Sequence, residues 1–211
     1  MTVIDNLILT INPGIFLILG GLISMTLPSK FAQKFNIALP LLLLLSLWNT
    51  EEGNHFSALF LGYNLELFRV DAFSYIFGII FLIAIAVANL YSIGANTGKI
   101  EPSASMIYAG SATAAVFAGD LITLFIFFEI AAISSVFLIW ARGTKRAFSA
   151  GFRYLIVQIG AGVILLSGIL IYASALGTIG FNKIGIDAVS YTHLRAHETP
   201  EHRVCRLLLE K

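Results

Sequence analysis

Long apolar runs separated by short polar links dominate the chain. The runs predict six membrane-spanning helices, at about residues 7–27, 35–48, 72–93, 104–118, 121–141 and 150–176. About 20 apolar residues, rising 1.5 Å each, cross the roughly 30 Å hydrocarbon core of a bilayer. Pro40 is expected to kink the short second span. The pattern therefore predicts an all-α, polytopic transmembrane helix bundle of about six spans.

The segment between the second and third spans has a different pattern. The runs FSALFL and LELFRV flank Gly62-Tyr63-Asn64, which predicts two short strands around a turn. An irregular amphipathic loop fits these residues equally well, so both interpretations stay open.

The fourth span is expected to be interior. Small residues let helices approach closely, and this span is rich in them: Gly110, Ser111, Ala112, Ala114 and Ala115. Gly119-Asp120 is a tight connection, so the fourth and fifth spans should be antiparallel neighbours.

Composition agrees with a bilayer environment. The chain is 58% hydrophobic and 12% charged, whereas soluble domains carry about 25% charged residues. The net charge of +1 does not indicate a basic surface of the kind that binds nucleic acids. A single cysteine, Cys205, excludes an intrachain disulfide framework. The sequence contains no dinucleotide-binding or phosphate-loop motif, and we predict no cofactor.

Basic residues concentrate in alternate links. Lys30 and Lys34 follow the first span, Lys99 follows the third, and Arg142, Lys145 and Arg146 follow the fifth. The positive-inside rule places these links in the cytoplasm. We therefore predict a multi-pass protein of the cell inner (cytoplasmic) membrane, with its N-terminus and the strand-like segment outside.

Glu129 lies near the middle of the fifth apolar run, LITLFIFFEIAAISSVFLIWA. An ionised group at such a depth costs about 2.5–3.5 kcal/mol on insertion scales, and such groups most often serve as proton or cation sites. Apolar surroundings favour a neutral carboxyl group and a basic neighbour favours the charged form, so a reversible proton carrier is one interpretation. A buried structural acid, protonated or paired with a neighbouring helix, is the other.

Further polar residues are weaker candidates for a pathway or coupling role. Arg153 either lines a channel or extends to the interface and a lipid phosphate. Gln158 and Asn89 either line a pathway or hydrogen-bond between helices. Asp71 and Asp120 either admit ions or cap helices at the outer surface.

The C-terminal segment, residues 188–211, departs from this pattern. It holds three of the four histidines, the only cysteine and seven of the 25 charged residues. His193, His197 and Cys205 match no zinc-site spacing. The segment resembles a recurrent spurious C-terminus of unrelated draft gene predictions, produced by read-through into adaptor or vector sequence. We therefore expect residues 1–187 to form the membrane region and residues from about 188 onward to be foreign.

Three stretches of the membrane region carry a resemblance to a known family. They are RVDAFS followed by Phe77-Gly78, the stretch YAGS through VFAGDLITLF, and the group FFE, VFLIWAR and AGFRYL. Together they resemble the antiporter-like subunits shared by Mrp-type multisubunit Na+/H+ antiporters and the proton-pumping arm of respiratory complex I. The string FAGDLITLF…FFE…SVFLIWAR is most similar to the D subunit of the Mrp type.

The resemblance implies a larger fold of about fourteen spans with two inverted repeats, of which this chain is the N-terminal part. Glu129 corresponds to the family's key acid. The lysine that partners this acid in the family lies on a seventh span, which has no counterpart among the six predicted spans. The implied partners are the lipid bilayer, other subunits, protons and Na+, with no nucleic acid.

Three functions remain open on this basis. The first is the proton-translocating subunit of a monovalent cation (Na+)/H+ antiporter, a transporter subunit and not an enzyme, with Glu129 as proton carrier. The second is a redox-coupled translocase subunit of complex I or of a membrane-bound hydrogenase. The third is a membrane scaffold that does not transport. A haem-bearing redox anchor is disfavoured because the spans contain no paired histidines.

The charge pattern gives a testable topology. A cysteine introduced at Gly143, in a Cys205→Ser background, should be protected from an impermeant thiol reagent added outside intact cells. A cysteine introduced at Gly62, in the predicted outer segment, should react rapidly. Rapid labelling at position 143 together with protection at position 62 would reverse the orientation.

Overall fold

The structure, a computed structural model, describes residues 11–60, 62–93 and 100–181. The chain divides into two compact units, Met1–Ile179 and Gly180–Lys211. Every helix and strand described below lies in the first unit. The predicted foreign segment and the histidines and cysteine within it lie outside the described residues.

The described residues form six helices and one antiparallel pair of strands. In chain order they are α1 (Pro13–Thr26), α2 (Ser29–Trp48), β1 (Gly53–Phe60), β2 (Tyr63–Val70), α3 (Ala72–Tyr91), α4 (Ile100–Val116), α5 (Leu121–Trp140) and α6 (Lys145–Leu176). The predicted helical bundle is confirmed. Each of the six predicted spans overlaps one helix.

Several helix boundaries differ from the prediction. The helix α1 begins at Pro13, where the Asn12 side chain accepts a hydrogen bond from the Gly14 amide and caps the helix, and residues 7–10 of the predicted span lie outside the described residues. The helix α2 begins at Ser29, so Lys30 and Lys34 lie within its first turns and not in a link. The helix continues through Pro40.

The start of the last helix also differs. The helix α6 begins at Lys145 and not at residue 150, because the Thr144 hydroxyl accepts from the Ala147 amide. Its 32 residues extend about 48 Å, which exceeds the hydrocarbon thickness. A helix of this length has turns outside the hydrocarbon core, and the charged residues Lys145 and Arg146 lie in its first turn.

Four of the described helices, α2, α3, α5 and α6, are long and apolar enough to cross a membrane. The helices α1 and α4 contain 14 and 17 residues. At 1.5 Å per residue they measure about 21 and 26 Å.

The two strands confirm the hairpin and exclude the irregular loop. Gly53 of β1 pairs with Val70 of β2, and Phe60 pairs with Tyr63, with a register irregularity at Phe56. Because Tyr63 already belongs to β2, the turn lies before it and not at residues 62–64. The outer strand β1 is largely exposed, whereas β2 has three residues buried against the bundle: Leu65, Phe68 and Val70.

The helix α4 packs between α1 and α5. A Cβ atom added at Gly110 would lie 2.8 Å from the backbone nitrogen of Ile18 and 2.9 Å from the carbonyl oxygen of Gly14. Only a glycine allows the two backbones this approach. The Ser24 and Ser103 hydroxyl groups, 2.7 Å apart, add a buried hydrogen bond between the same helices. The predicted interior position of α4 agrees with its packing.

The hairpin is joined to the turn between α4 and α5. The Arg69 amide donates to the Phe117 carbonyl oxygen (2.9 Å), and the Gly119 amide donates to the Glu66 carbonyl oxygen (2.8 Å). The Asp120 carboxylate accepts from the backbone amides of Glu66 (2.7 Å) and Thr123 (2.9 Å). Asp120 is 1% exposed. It therefore caps α5 and holds the hairpin at the same time.

Asp120→Ala should lower the free energy of unfolding by about 2 kcal/mol or more, because it removes a helix cap and leaves the Glu66 amide without its acceptor. Asp71→Ala is the matched control, since Asp71 caps α3 through Ser74 and its side chain is 49% exposed. The control should cost about 1 kcal/mol. Denaturant unfolding of the detergent-solubilised protein, followed by circular dichroism, measures both. Equal losses in the two variants would contradict the double role of Asp120.

Candidate functional site

The helix α5 begins at Leu121, directly after its N-cap residue Asp120, and Glu129 is its ninth residue. About 13 Å of helix therefore separate the carboxyl group from the hairpin end of the bundle. The residue is partly buried. The glutamate thus lies near the middle of a helix long enough to cross a bilayer.

The Glu129 carboxyl group lies against Gly162 of α6. A Cβ atom added at Gly162 would lie 2.9 Å from Cδ and 3.2 Å from Oε2 of Glu129. The carboxyl group therefore occupies the space that any side chain at position 162 would fill. Gly162 is itself buried in the interface between α5 and α6.

The neighbours of Glu129 on its own helix are apolar. Phe125, Ile126 and Ile133 share its face of α5. Within the described part of the chain, the Glu129 side chain forms no hydrogen bond or ion pair.

A cleft of about 420 Å³ opens between α3, α4, α5 and α6, and its lining includes neither Glu129 nor Gly162. Its walls are mostly apolar, and its polar lining consists of Tyr108, Ser111, Tyr154 and Gln158. Gln158 precedes Gly162 by four residues, so the two lie on the same face of α6, about 6 Å apart along the axis. The Glu129 contact is thus one helical turn from a polar group of the cleft.

A second polar contact follows one turn further along α6. The Tyr154 hydroxyl group lies 3.1 Å from the Ser135 hydroxyl group of α5. The Ser135 hydroxyl is also 2.7 Å from the Ala132 carbonyl oxygen. Because a serine hydroxyl has a single proton, Ser135 donates either to this carbonyl oxygen or to the Tyr154 hydroxyl oxygen. Polar groups therefore follow the interface between α5 and α6 from Glu129 toward the start of α6.

The structure does not bring the other candidate residues to Glu129. Arg153 is exposed, and it precedes Gly162 by nine residues, or about two and a half turns, so it lies on the opposite face of α6. Asp120 and Asp71 lie at the hairpin end, where both cap helices. The Asn89 side chain donates to the Ile85 carbonyl oxygen of its own helix (2.9 Å).

Sequence reasoning missed Gly162 and Tyr154 as site residues. Their spacing with Gln158 is i, i+4, i+8, which places the three on one ridge of a helix. That spacing alone does not single out Gly162, because the contact with Glu129 depends on the partner helix and its register.

Part of the chain matches a known protein family. Residues 118–207 match the family model described as the transmembrane domain of NADH:quinone oxidoreductase/Mrp antiporters. The match includes α5, α6 and Glu129. It also continues into the segment from residue 188 that we expect to be foreign, and that expectation stays a prediction.

Two relatives match by sequence. The D subunit of a Na+/H+ antiporter from Alkalihalophilus pseudofirmus is 31% identical over 68 residues, which cover 32% of this chain and 14% of the relative. An uncharacterized protein of Methanocaldococcus jannaschii is 36% identical over 80 residues, which cover 38% of this chain and 17% of the relative. The chain therefore spans only a minor part of the curated relatives it matches.

A solved structure shares the fold. A chain of the membrane-bound sulfane sulfur reductase, an archaeal respiratory membrane complex, aligns with a TM-score of 0.65 at 21% identity. The alignment covers 83% of this chain and 38% of that chain. The chain is therefore similar to antiporter-like membrane subunits.

Proposed function

We propose that the antiporter-like protein translocates protons in a multisubunit monovalent cation (Na+)/H+ antiporter, with Glu129 as the intramembrane proton carrier. The carboxylate would take up a proton from one side of the membrane and release it to the other. The similarity to the D subunit of a Na+/H+ antiporter supports the choice of antiport.

One observation carries the proposal. The Glu129 carboxyl group lies in mid-helix between α5 and α6, one turn from a cleft with polar lining. An acid at such a depth is costly, and a functional role is the usual reason for one. Gly162, which lies against it, offers no side chain that would neutralise it.

The polar groups along α5 and α6 supply a route for the proton. Gln158, then the Tyr154 and Ser135 hydroxyl groups, follow Glu129 toward the start of α6. Hydroxyl groups and water each donate and accept hydrogen bonds, so together they can relay a proton, and the Gln158 amide can orient water in the cleft. We infer that this route leads to the cytoplasmic side.

The orientation rests on the basic residues at one end of the bundle. Lys30 and Lys34 of α2, with Arg142, Lys145 and Arg146 around the start of α6, lie at the end opposite the hairpin. Under the positive-inside rule this end faces the cytoplasm, and the start of α1 lies outside.

A redox-driven proton pump is the second candidate. The matching family model is named for NADH:quinone oxidoreductase as well as for Mrp antiporters. Proton uptake driven by a Na+ gradient in vesicles favours the antiporter. Proton movement that requires electron transfer favours the complex I or hydrogenase type. Neighbouring genes for small antiporter subunits or for NADH-dehydrogenase subunits would separate the same two candidates.

Glu129→Gln in the assembled complex should lower Na+-driven proton flux by about a hundredfold or more, because it removes the titratable group and nearly preserves the size of the side chain. Glu129→Asp should retain part of the flux, since the acid remains but is one methylene shorter. The measurement is proton flux in vesicles, with assembly checked on a native gel.

Glu101→Gln is the matched control for this change. Glu101 is an exposed acid in the first turn of α4, and its substitution should leave the flux near that of the wild type. A Glu129→Gln complex that assembles and transports like the wild type would show that the acid is structural and would favour the scaffold function.

A further inference from the structure

We propose that Gly162 is a positioning residue for Glu129: the missing side chain makes a notch in α6 that holds the carboxyl group between the two helices. This inference rests on the proposed role of Glu129 as proton carrier. Gly162 has no ionisable group, yet it would act directly on the proton site by holding the carboxyl group in place.

The geometry makes the notch specific. A Cβ atom at position 162 would collide with Oε1 of Glu129. It would lie 2.9 Å from Cδ and 3.2 Å from Oε2 of the same side chain. Real Cβ atoms do not approach other atoms closer than about 3 Å, so something must move. The obstructing atoms belong to the end of a flexible side chain. The carboxyl group can therefore move away while the helix backbones remain in place.

Other glycines of α6 lack this contact. A Cβ atom added at Gly160 or at Gly168 would meet no atom within 4 Å. Gly160 is two residues from Gly162 on the same helix, so an alanine there has the same effect on helix propensity. It provides a matched control that changes no contact with Glu129.

The notch fixes the distance between the acid and its proton route. Gly162 lies on the same ridge of α6 as Gln158 and Tyr154, so a carboxyl group held at the notch is about 6 Å along the helix axis from Gln158. Displacement of the carboxyl group by about 1 Å would misalign the transfer, and misplacement on this scale can cost a reaction about a hundredfold.

The test compares Gly162→Ala, Gly160→Ala, Glu129→Gln and the double variant Gly162→Ala with Glu129→Asp, all in the assembled complex. Gly162→Ala should assemble and lose about tenfold to a hundredfold of the Na+-driven proton flux, whereas Gly160→Ala should transport like the wild type. The double variant should recover flux relative to Gly162→Ala, because the shorter aspartate clears the added methyl group. This recovery distinguishes positioning from a general packing defect.

A second readout does not depend on transport. A hydrophobic carbodiimide labels protonated carboxyl groups in apolar surroundings, and mass spectrometry reports its rate of addition at Glu129. A carboxyl group displaced from the notch is more accessible, so Gly162→Ala should be labelled several times faster than Gly160→Ala. The labelling rate decides the placement of the carboxyl group even if Glu129→Gln leaves the proton flux unchanged.

Each remaining outcome has a definite meaning. Wild-type flux together with an unchanged labelling rate in Gly162→Ala would overturn the proposal. If Gly162→Ala fails to assemble, restored assembly of the double variant supports the direct contact, and continued failure of the double variant overturns it.

Discussion

The close packing of α4 against its neighbours is the interaction on which the rest of the bundle depends. Lipid tails are as apolar as leucine side chains, so apolar burial alone does not bring helices together in a membrane. Backbone approach at Gly110 and the hydrogen bond between Ser24 and Ser103 supply the attraction between α1 and α4. The short turn through Asp120 then fixes α5 beside α4. The direction of Glu129, toward α6, follows from that placement.

The sequence predicted the number and order of the helices because apolar runs in a bilayer are long and hard to form in any other way. The helices α3 and α5 begin where predicted, at Ala72 and Leu121. The start of α6 was not predicted, since it depends on a single capping side chain, Thr144. The hairpin could not be separated from an irregular loop by its own residues. Its strands are stabilised by backbone bonds to the turn after α4, from Arg69 to Phe117 and from Gly119 to Glu66, which no local pattern reveals.

The residues of the candidate site likewise include some that the sequence could identify and some that it could not. Glu129 could be singled out from the sequence because one acid in an apolar run has a known energetic cost. Its neighbour Gly162 could not, because the pairing depends on the register between α5 and α6. Arg153 and Gln158 are comparable candidates by sequence. Helix geometry separates them, since Gln158 shares a face with Gly162 and Arg153 lies on the opposite face.

The central claim is that Glu129 exchanges a proton while it lies between α5 and α6. Infrared difference spectroscopy of the assembled complex at a series of pH values tests this claim most directly, with Glu129→Gln as the reference that assigns the band. We predict a band of a protonated carboxyl group that appears and disappears over the pH range in which the complex transports, and that is absent from the variant. A spectrum without any titrating band assigned to Glu129 in that range would contradict the claim.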